Sequence, residues 1–469
     1  MIKKNIYSSI QFSFILYLIL PAIIFGFNLG SDFFIFQLIL KNYSYENPIF
    51  LVAAFSAILG SFASSISCYF VYRNNWKKDT PEEYKKILMI GLLAGALGLF
   101  LTYPAFETKF LPIIFISRFF VGFGVTSIHL ALYPIIYYIV EDGKHDFWLF
   151  FITAFISLGR FFAYPLGYFF INDLKIEANF IFFEIICIII ATISFILSLA
   201  IYFNNSIIRA IPSFLWLKTK NDISSSRTET IMGILGLILF GLTDAFLMDK
   251  MQFLTTQIME NPYYLITGLT LTSAGLFVTR FAASQRVSSI PNPFKTLISI
   301  LLSTTILFFV IFTVNLMQVE IANLLIFLIL FIIVLLAIGI SRNNIYSISA
   351  TLGICGFILI LIFLFTRSER FQYYSLSGFG FFIAPIMPLC ISLIFSKRWL
   401  PFIALSSFIS IFPALRVFIP FFTMIYPDFI KNNIFMLLPL VCFGYLILVG
   451  ILIQIKYSRL KDGITTKKI

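Results

Sequence analysis

Charge is what this chain lacks. Of 469 residues, 12% are Asp, Glu, Lys or Arg, about half the usual share of a soluble protein. Histidine occurs twice, and the five cysteines are odd in number. All five (Cys68, Cys187, Cys355, Cys390, Cys442) fall inside apolar runs, which excludes a disulfide framework and any metal-ligand spacing and leaves them as small hydrophobes. A nucleotide-cradling glycine loop is missing, so ATP is not the expected driving force. Strand-like alternation is missing as well, which excludes a transmembrane barrel. No cofactor or metal is implied. What is abundant is apolar surface: 60% hydrophobic residues, 60 of them Phe, and a mean hydropathy of +0.99. Such a chain is dissolved in lipid over most of its length.

A helix needs roughly 20 apolar residues to cross the hydrocarbon. Breaks at charged or turn-rich segments divide the sequence into candidate spans at 12–40, 49–72, 87–105, 110–140, 147–171, 180–203, 231–250, 263–283, 296–316, 321–340, 345–366, 372–396, 400–425 and 434–455. The first is too long for a signal-peptide core and is expected to be retained. With the N-terminus inside, twenty-two of the 33 Lys and Arg fall on inner segments and seven on outer loops, leaving four within spans. That asymmetry predicts fourteen spans, both termini cytoplasmic, and a multi-pass protein of a bacterial inner membrane. Only Arg367 and Arg370 sit together on the wrong side. The net charge of +12 is therefore a topological signal whose partners are anionic lipid headgroups, with no nucleic acid required.

The longest connection, 204–230, is basic and Ser/Thr-rich, and follows six spans. The second half echoes the first. Gly122-Phe123-Gly124 recurs as Gly378-Phe379-Gly380, Pro134 as Pro388, Phe155-Ile156-Ser157 as Phe408-Ile409-Ser410, Arg160 as Arg416 and Pro165 as Pro420, at offsets of 253 to 256. Spans 4–6 then match spans 12–14. The expected plan is all-α: an N-terminal six-helix bundle over 1–203, a linker over 204–230, an inserted helix pair over 231–283, and a C-terminal six-helix bundle with its tail over 284–469. Paired six-helix halves point to a transporter.

Polar residues inside lipid are costly, at least about 2.5–3.5 kcal/mol per charge, and mark function or a partner. Asp32 and Arg118 lie at similar depth below the outer end of antiparallel spans 1 and 4. They can form a static pair or a proton switch in which a protonated Asp32 frees Arg118. Arg160 and Arg416 occupy matching repeat positions and would line a shared cavity that attracts an anionic group, or be held within their own bundles. His129 is either a packed, hydrogen-bonded histidine or a proton relay. Glu184 has no partner nameable from sequence. Arg280 is expected to snorkel from its helix end, and Asp244, on the inserted pair, to make a structural or lipid-facing contact away from the centre. Pro134 and Pro388 would kink their helices. Gly122, Gly124, Gly378 and Gly380 would permit close helix contact.

The run Arg118-Phe-Phe-Val-Gly122-Phe-Gly124 resembles the span-4 motif of the major facilitator superfamily, in whose proton-driven members the Arg is tied to proton coupling. Arg73-Asn-Asn-Trp-Lys77-Lys78 resembles that superfamily's basic loop after span 2, with Cys68 and Tyr72 where Gly and Asp usually stand. Gly159, Pro165 and Gly167 match the span-5 motif of antiporters poorly. The resemblance implies a monomeric secondary transporter moving a small solute by alternating access with protons, export by antiport being placed ahead of uptake. Two other classes compete. A lipid-linked oligosaccharide flippase also has fourteen spans, but carries its extra helices at the C-terminus, which the 4-to-12 pairing disfavours. A polytopic membrane transferase would need catalytic groups at a membrane face, where only His145 with Asp142 and Asp146 offers itself.

Overall fold

The computed structural model describes residues 15–30, 48–140, 144–172, 176–204, 220–253, 263–287, 321–365, 380–395 and 399–410, with single residues such as 378, 412 and 447–451 beyond them. Every long element among them is helical. We label these α1 (Ile15–Gly30), α2 (Pro48–Tyr72), α3 (Pro81–Phe100), the short α4 (Thr102–Thr108), α5 (Leu111–Ile139), α6 (His145–Asn172), α7 (Ile176–Phe203), α8 (Lys220–Phe253), α9 (Tyr263–Val287), α10 (Ile321–Ile340) and α11 (Ile345–Phe365). They are followed by α12 (Gly380–Phe395) and α13 (Phe402–Ser406). Among the described residues, the segments Leu51–Tyr72, Leu111–Ile139, His145–Tyr164 and Glu184–Phe203 are long and apolar enough to cross a membrane. Parts of spans 1, 12 and 13, most of span 14 and all of span 9, with Asp32 and Arg416, lie outside the described residues.

Local sequence sets the helix ends. Pro81 opens α3, with Glu82 and Glu83 in its first turn, where carboxylates meet the positive end of the helix dipole. Lys109, at φ 55°, turns the chain between α4 and α5, and Pro112 stands in the first turn of α5. In lipid there is no hydrophobic drive between helices, so close packing of small residues takes over. A Cβ on Gly122 would strike the carbonyl of Ala57 in α2, and one on Gly124 the backbone of Gly95 in α3. These two glycines seat α5 between α2 and α3. In the other half, a Cβ on Gly380 would lie 2.5 Å from the carbonyl of Thr272, which brings α12 against α9; Gly378 is closed off by the Leu330 side chain.

The pair expected as an insertion does not stand apart. Helix α9 packs along the length of α6, and α8 packs against α12. The face of α9 that meets α6 carries Phe277 against Phe155 and Phe281 against Phe151. Helix α10 turns a broad apolar face outward, with Leu325, Ile329, Ile332, Leu336 and Ile340 exposed.

Candidate functional site

The buried charges among the described residues are few: Asp79, Lys85, Arg118, Arg160, Asp244 and Arg280. Three of them gather where α6, α8, α9 and α12 meet. Arg160 on α6 places Nη2 3.2 Å from Oδ1 of Asp244 on α8 and 3.5 Å from the Tyr164 hydroxyl. Both partners of the ion pair are buried. Asp244, expected away from the centre, is therefore corrected to a partner of Arg160, because its helix is a core helix. No sequence spacing announces a pair 84 residues apart.

Arg280 does not snorkel. It sits seven residues before the end of α9, is 2% exposed, and reaches across to the other half. Nη1 donates to the Thr153 carbonyl at 3.0 Å and to the Ser157 hydroxyl at 2.6 Å, both on α6. Nε donates to the Ala384 carbonyl at 2.9 Å. That carbonyl is available because Pro388, four residues on, has no N–H to return to it, and the helix opens into a turn at residues 384–385. The guanidinium also lies 5.7 Å from the Phe240 ring centroid, a cation–π distance. A snorkelling expectation fails here because α9 is enclosed by other helices at this depth.

The remaining sequence candidates sit around or away from this centre. His129 on α5 is fully buried, shares a 2.9 Å hydrogen bond with the Tyr133 hydroxyl, and stacks on Phe25 at 4.6 Å. Phe412 lies 6.2 Å from His129 and 5.2 Å from Phe240, so an aromatic bridge links His129 to the arginine cluster. Arg118 is buried in the N-terminal half, donating to the hydroxyls of Thr102 and Ser117; Asp32, its expected partner, lies outside the described residues, as does Arg416. Glu184 is half-exposed on α7 and is not brought to the centre. Pro134 is buried within α5.

A second cluster closes the end of the bundle that carries the 73–80 loop. Asp79 accepts from the Tyr84 hydroxyl on Oδ1 and from the backbone N–H of Phe402, at the start of α13, on Oδ2 at 3.2 Å. Its carbonyl accepts from the Tyr138 hydroxyl at 2.6 Å. Burial pushes the Asp79 carboxyl up to about 7, against the N–H of Phe402, which favours the charged form. Nearby, Ser392 on α12 donates to Asp146 at the start of α6 at 2.8 Å, and Trp399 donates to Thr230 at 2.9 Å beneath Arg227. Two of these contacts, Phe402 to Asp79 and Ser392 to Asp146, thus join α12 and α13 to the N-terminal helices at this one end.

No protein-family model matches the sequence, and a search of curated proteins finds no match. Solved structures do match. The fucose:proton symporter FucP of E. coli aligns over 94% of this chain and 99% of its own, with a TM-score of 0.63 at 15% identity. A second FucP structure, a major facilitator superfamily transporter in the outward conformation, gives 0.64 at 14% identity over the same shares. The chain has the major facilitator fold. The proton:xylose symporter XylE, at a TM-score of 0.54 and 13% identity over 94% of this chain and 95% of its own, has the same architecture. With its apolar helices, a major facilitator fold makes this an integral, multi-pass membrane protein. Within that fold the Arg160–Asp244 pair and Arg280 lie where α6, α8, α9 and α12 meet, and the Asp79 cluster lies at the end that carries the 73–80 loop.

Proposed function

We propose that the protein is a proton-coupled secondary transporter that moves a small solute by alternating access, with Asp244 as its proton-carrying group. The observation that carries this reading is the buried Arg160–Asp244 ion pair between helices of opposite halves. A carboxylate in a dry interior is tolerated only while paired. Once protonated, Asp244 no longer needs Arg160, so the two helices are free to separate; deprotonation draws them back. Protonated and ionised forms favour different packings, which is how a proton gradient shifts conformational populations. The contacts at the Asp79 end support the same reading, since they close one mouth and leave the other to open. FucP and XylE are proton symporters of fucose and xylose, and their architecture favours a small polar solute here. Asp32 is the alternative proton carrier, with Arg118 as its partner.

The test is proton flux in proteoliposomes loaded with a pH-sensitive dye, with fucose, xylose, lactate and gluconate offered outside under an imposed pH gradient. A solute that elicits proton entry in wild type and none in Asp244→Asn supports the reading. Equal flux in wild type and Asp244→Asn, with loss in Asp32→Asn, moves the coupling to Asp32. No solute-dependent flux in wild type overturns proton coupling for these solutes.

A further inference from the structure

We propose that Arg280 and Arg160 form the binding site for the carboxylate of a small organic monoanion, taken up together with the proton of Asp244. This rests on the transporter reading and names its substrate class.

The first support is charge. Asp244 is the one buried acid among the described residues at this centre, and it faces two buried guanidinium groups. Arg160 is paired with it; the hydrogen bonds of Arg280 among the described residues go to carbonyls, a hydroxyl and a thioether, beside a ring. A net positive charge is thus held in a water-poor interior, where an unbalanced charge carries a cost of several kcal/mol. An anion arriving there relieves it.

The second support is the hydrogen-bond inventory. Arg160 Nε, Ser273 Oγ and Thr270 Oγ1 are buried with no partner among the described residues. Nη2 of Arg280 has only the Met387 sulfur at 3.9 Å, a weak acceptor. Guanidinium N–H groups only donate. The guanidinium N–H groups call for acceptors, which a carboxylate supplies, and the Ser273 and Thr270 hydroxyls can donate to it as well. These groups share one seam. The contacts of Arg280 with Thr153 and Ser157, of Phe277 with Phe155 and of Phe281 with Phe151 fix α9 antiparallel to α6. That register sets Ser273 level with Arg160 and Thr270 one turn further out. Phe240 and Tyr164 supply apolar and hydroxyl walls.

The third support is what a proton does to this site. The groups facing Asp244 are Arg160 and Tyr164 from α6 and Arg280 from α9, with His129 and Tyr133 of α5 behind Phe240 and Phe412, and Cys390 of α12 against Gly236 on its own helix. With Asp244 ionised, Arg160 is neutralised and one positive charge faces the ligand. With Asp244 protonated, two do. Proton and carboxylate therefore bind with positive cooperativity. One proton and one monoanion crossing together move no net charge.

The full-length purified protein is titrated with lactate, gluconate and glucuronate, with neutral fucose and xylose as controls, at pH 5.5 and 8. At least one acid is expected to bind more tightly than both neutral sugars, and more tightly at the lower pH. Arg280→Gln should weaken that binding about 10- to 100-fold, the loss of one charge-assisted hydrogen bond. Ser273→Ala, a milder change that keeps the fold, should weaken it less, and Arg280→Lys should retain part of it. The inference is overturned if none of the acids binds, if the neutral sugars bind as tightly, or if Arg280→Gln and Ser273→Ala both bind the acid as wild type does. Should fucose or xylose drive proton entry through wild type and not Asp244→Asn, the coupling reading stands and the carboxylate site falls. Should an acid bind in an Arg280-dependent way while no proton flux follows, the site stands and the coupling falls.

Discussion

Pro388 supplies Arg280 with its acceptor. An alanine at 388 would return an N–H to the Ala384 carbonyl, which Arg280 Nε now occupies at 2.9 Å, and the helix would close over it. The proline thus places a backbone oxygen where a guanidinium from another helix needs one, at the cost of one helical hydrogen bond. We expect Pro388→Ala to raise or preserve the melting temperature while lowering transport about tenfold, since the loss of one hydrogen bond to a charged group is worth about 1.5 kcal/mol. Transport rates and thermal melts on the same preparations check this. A variant that loses stability and transport in proportion would show Pro388 to be needed only for packing.

The Arg160–Asp244 pair makes a prediction about stability. Removing one partner leaves a buried charge alone, which costs about 3–5 kcal/mol. Asp244→Ala and Arg160→Ala should each melt well below wild type, whereas Arg160→Met combined with Asp244→Leu, with no charge left to strand, should recover most of the loss. Thermal unfolding of the two single variants and the double variant in nanodiscs measures the difference. Additive destabilisation in the double variant would mean that the two side chains do not depend on each other.

Composition and loop charge were enough to read an all-helical membrane chain, and the Arg118–Gly122–Gly124 run named the fold once joined to the span count and the internal repeat. The glycines were legible because a small residue in a lipid-embedded helix has few uses besides close approach, and Gly122, Gly124 and Gly380 all stand at such approaches. The centre was harder to read. Asp244 and Arg280 are as visible in the sequence as Arg160, yet their helices were placed as an insertion, so both were set aside. A signal was available: Arg280 is embedded among Thr270, Thr272, Ser273, Thr279 and Ser284, all buried, and a helix so rich in hydroxyls gains little by facing lipid. Helix α10, almost wholly Leu, Ile, Phe and Val, shows the opposite pattern and the more exposed face. Pairings between residues 84 and 127 positions apart depend on how halves dock, which no local pattern encodes.

Gly122→Ala and Gly124→Ala test the packing of α5 directly. The added methyl of the first meets the Ala57 carbonyl and that of the second the backbone of Gly95, neither of which can rotate away. Overpacking of this kind costs about 1–3 kcal/mol. Both variants should melt lower than wild type, whereas Gly339→Ala, where an added Cβ meets nothing within 4 Å, should not. If all three variants melt alike, the close approach of α5 to α2 and α3 is wrong.

Asp79 gives the closed mouth a pH dependence whose sign is the reverse of an ordinary salt bridge. Its carboxyl is raised from 3.8 to about 7 by burial in the closed arrangement, and returns toward its ordinary value once the mouth opens and water reaches it. Between those two values the closed form holds a proton that the open form does not. Closure is therefore favoured below about pH 4 to the same full extent and weakens as pH rises toward 7, by at most about 1.4 kcal/mol per pH unit. The Tyr84 hydroxyl and the N–H of Phe402 lie against the carboxylate, and the Asp79→Asn variant assigns the dependence to Asp79 itself. Spin labels at Lys78 and Leu400, on either side of the mouth, report the closed fraction by their separation. Acidification from pH 8 to 5.5 should raise the short-distance population in wild type and leave it unchanged in Asp79→Asn, which stays closed-favouring throughout because its amide carries no charge to bury. A closed fraction that grows with rising pH would mean instead that the ionised carboxylate, held by the N–H of Phe402, is the form that keeps the mouth shut.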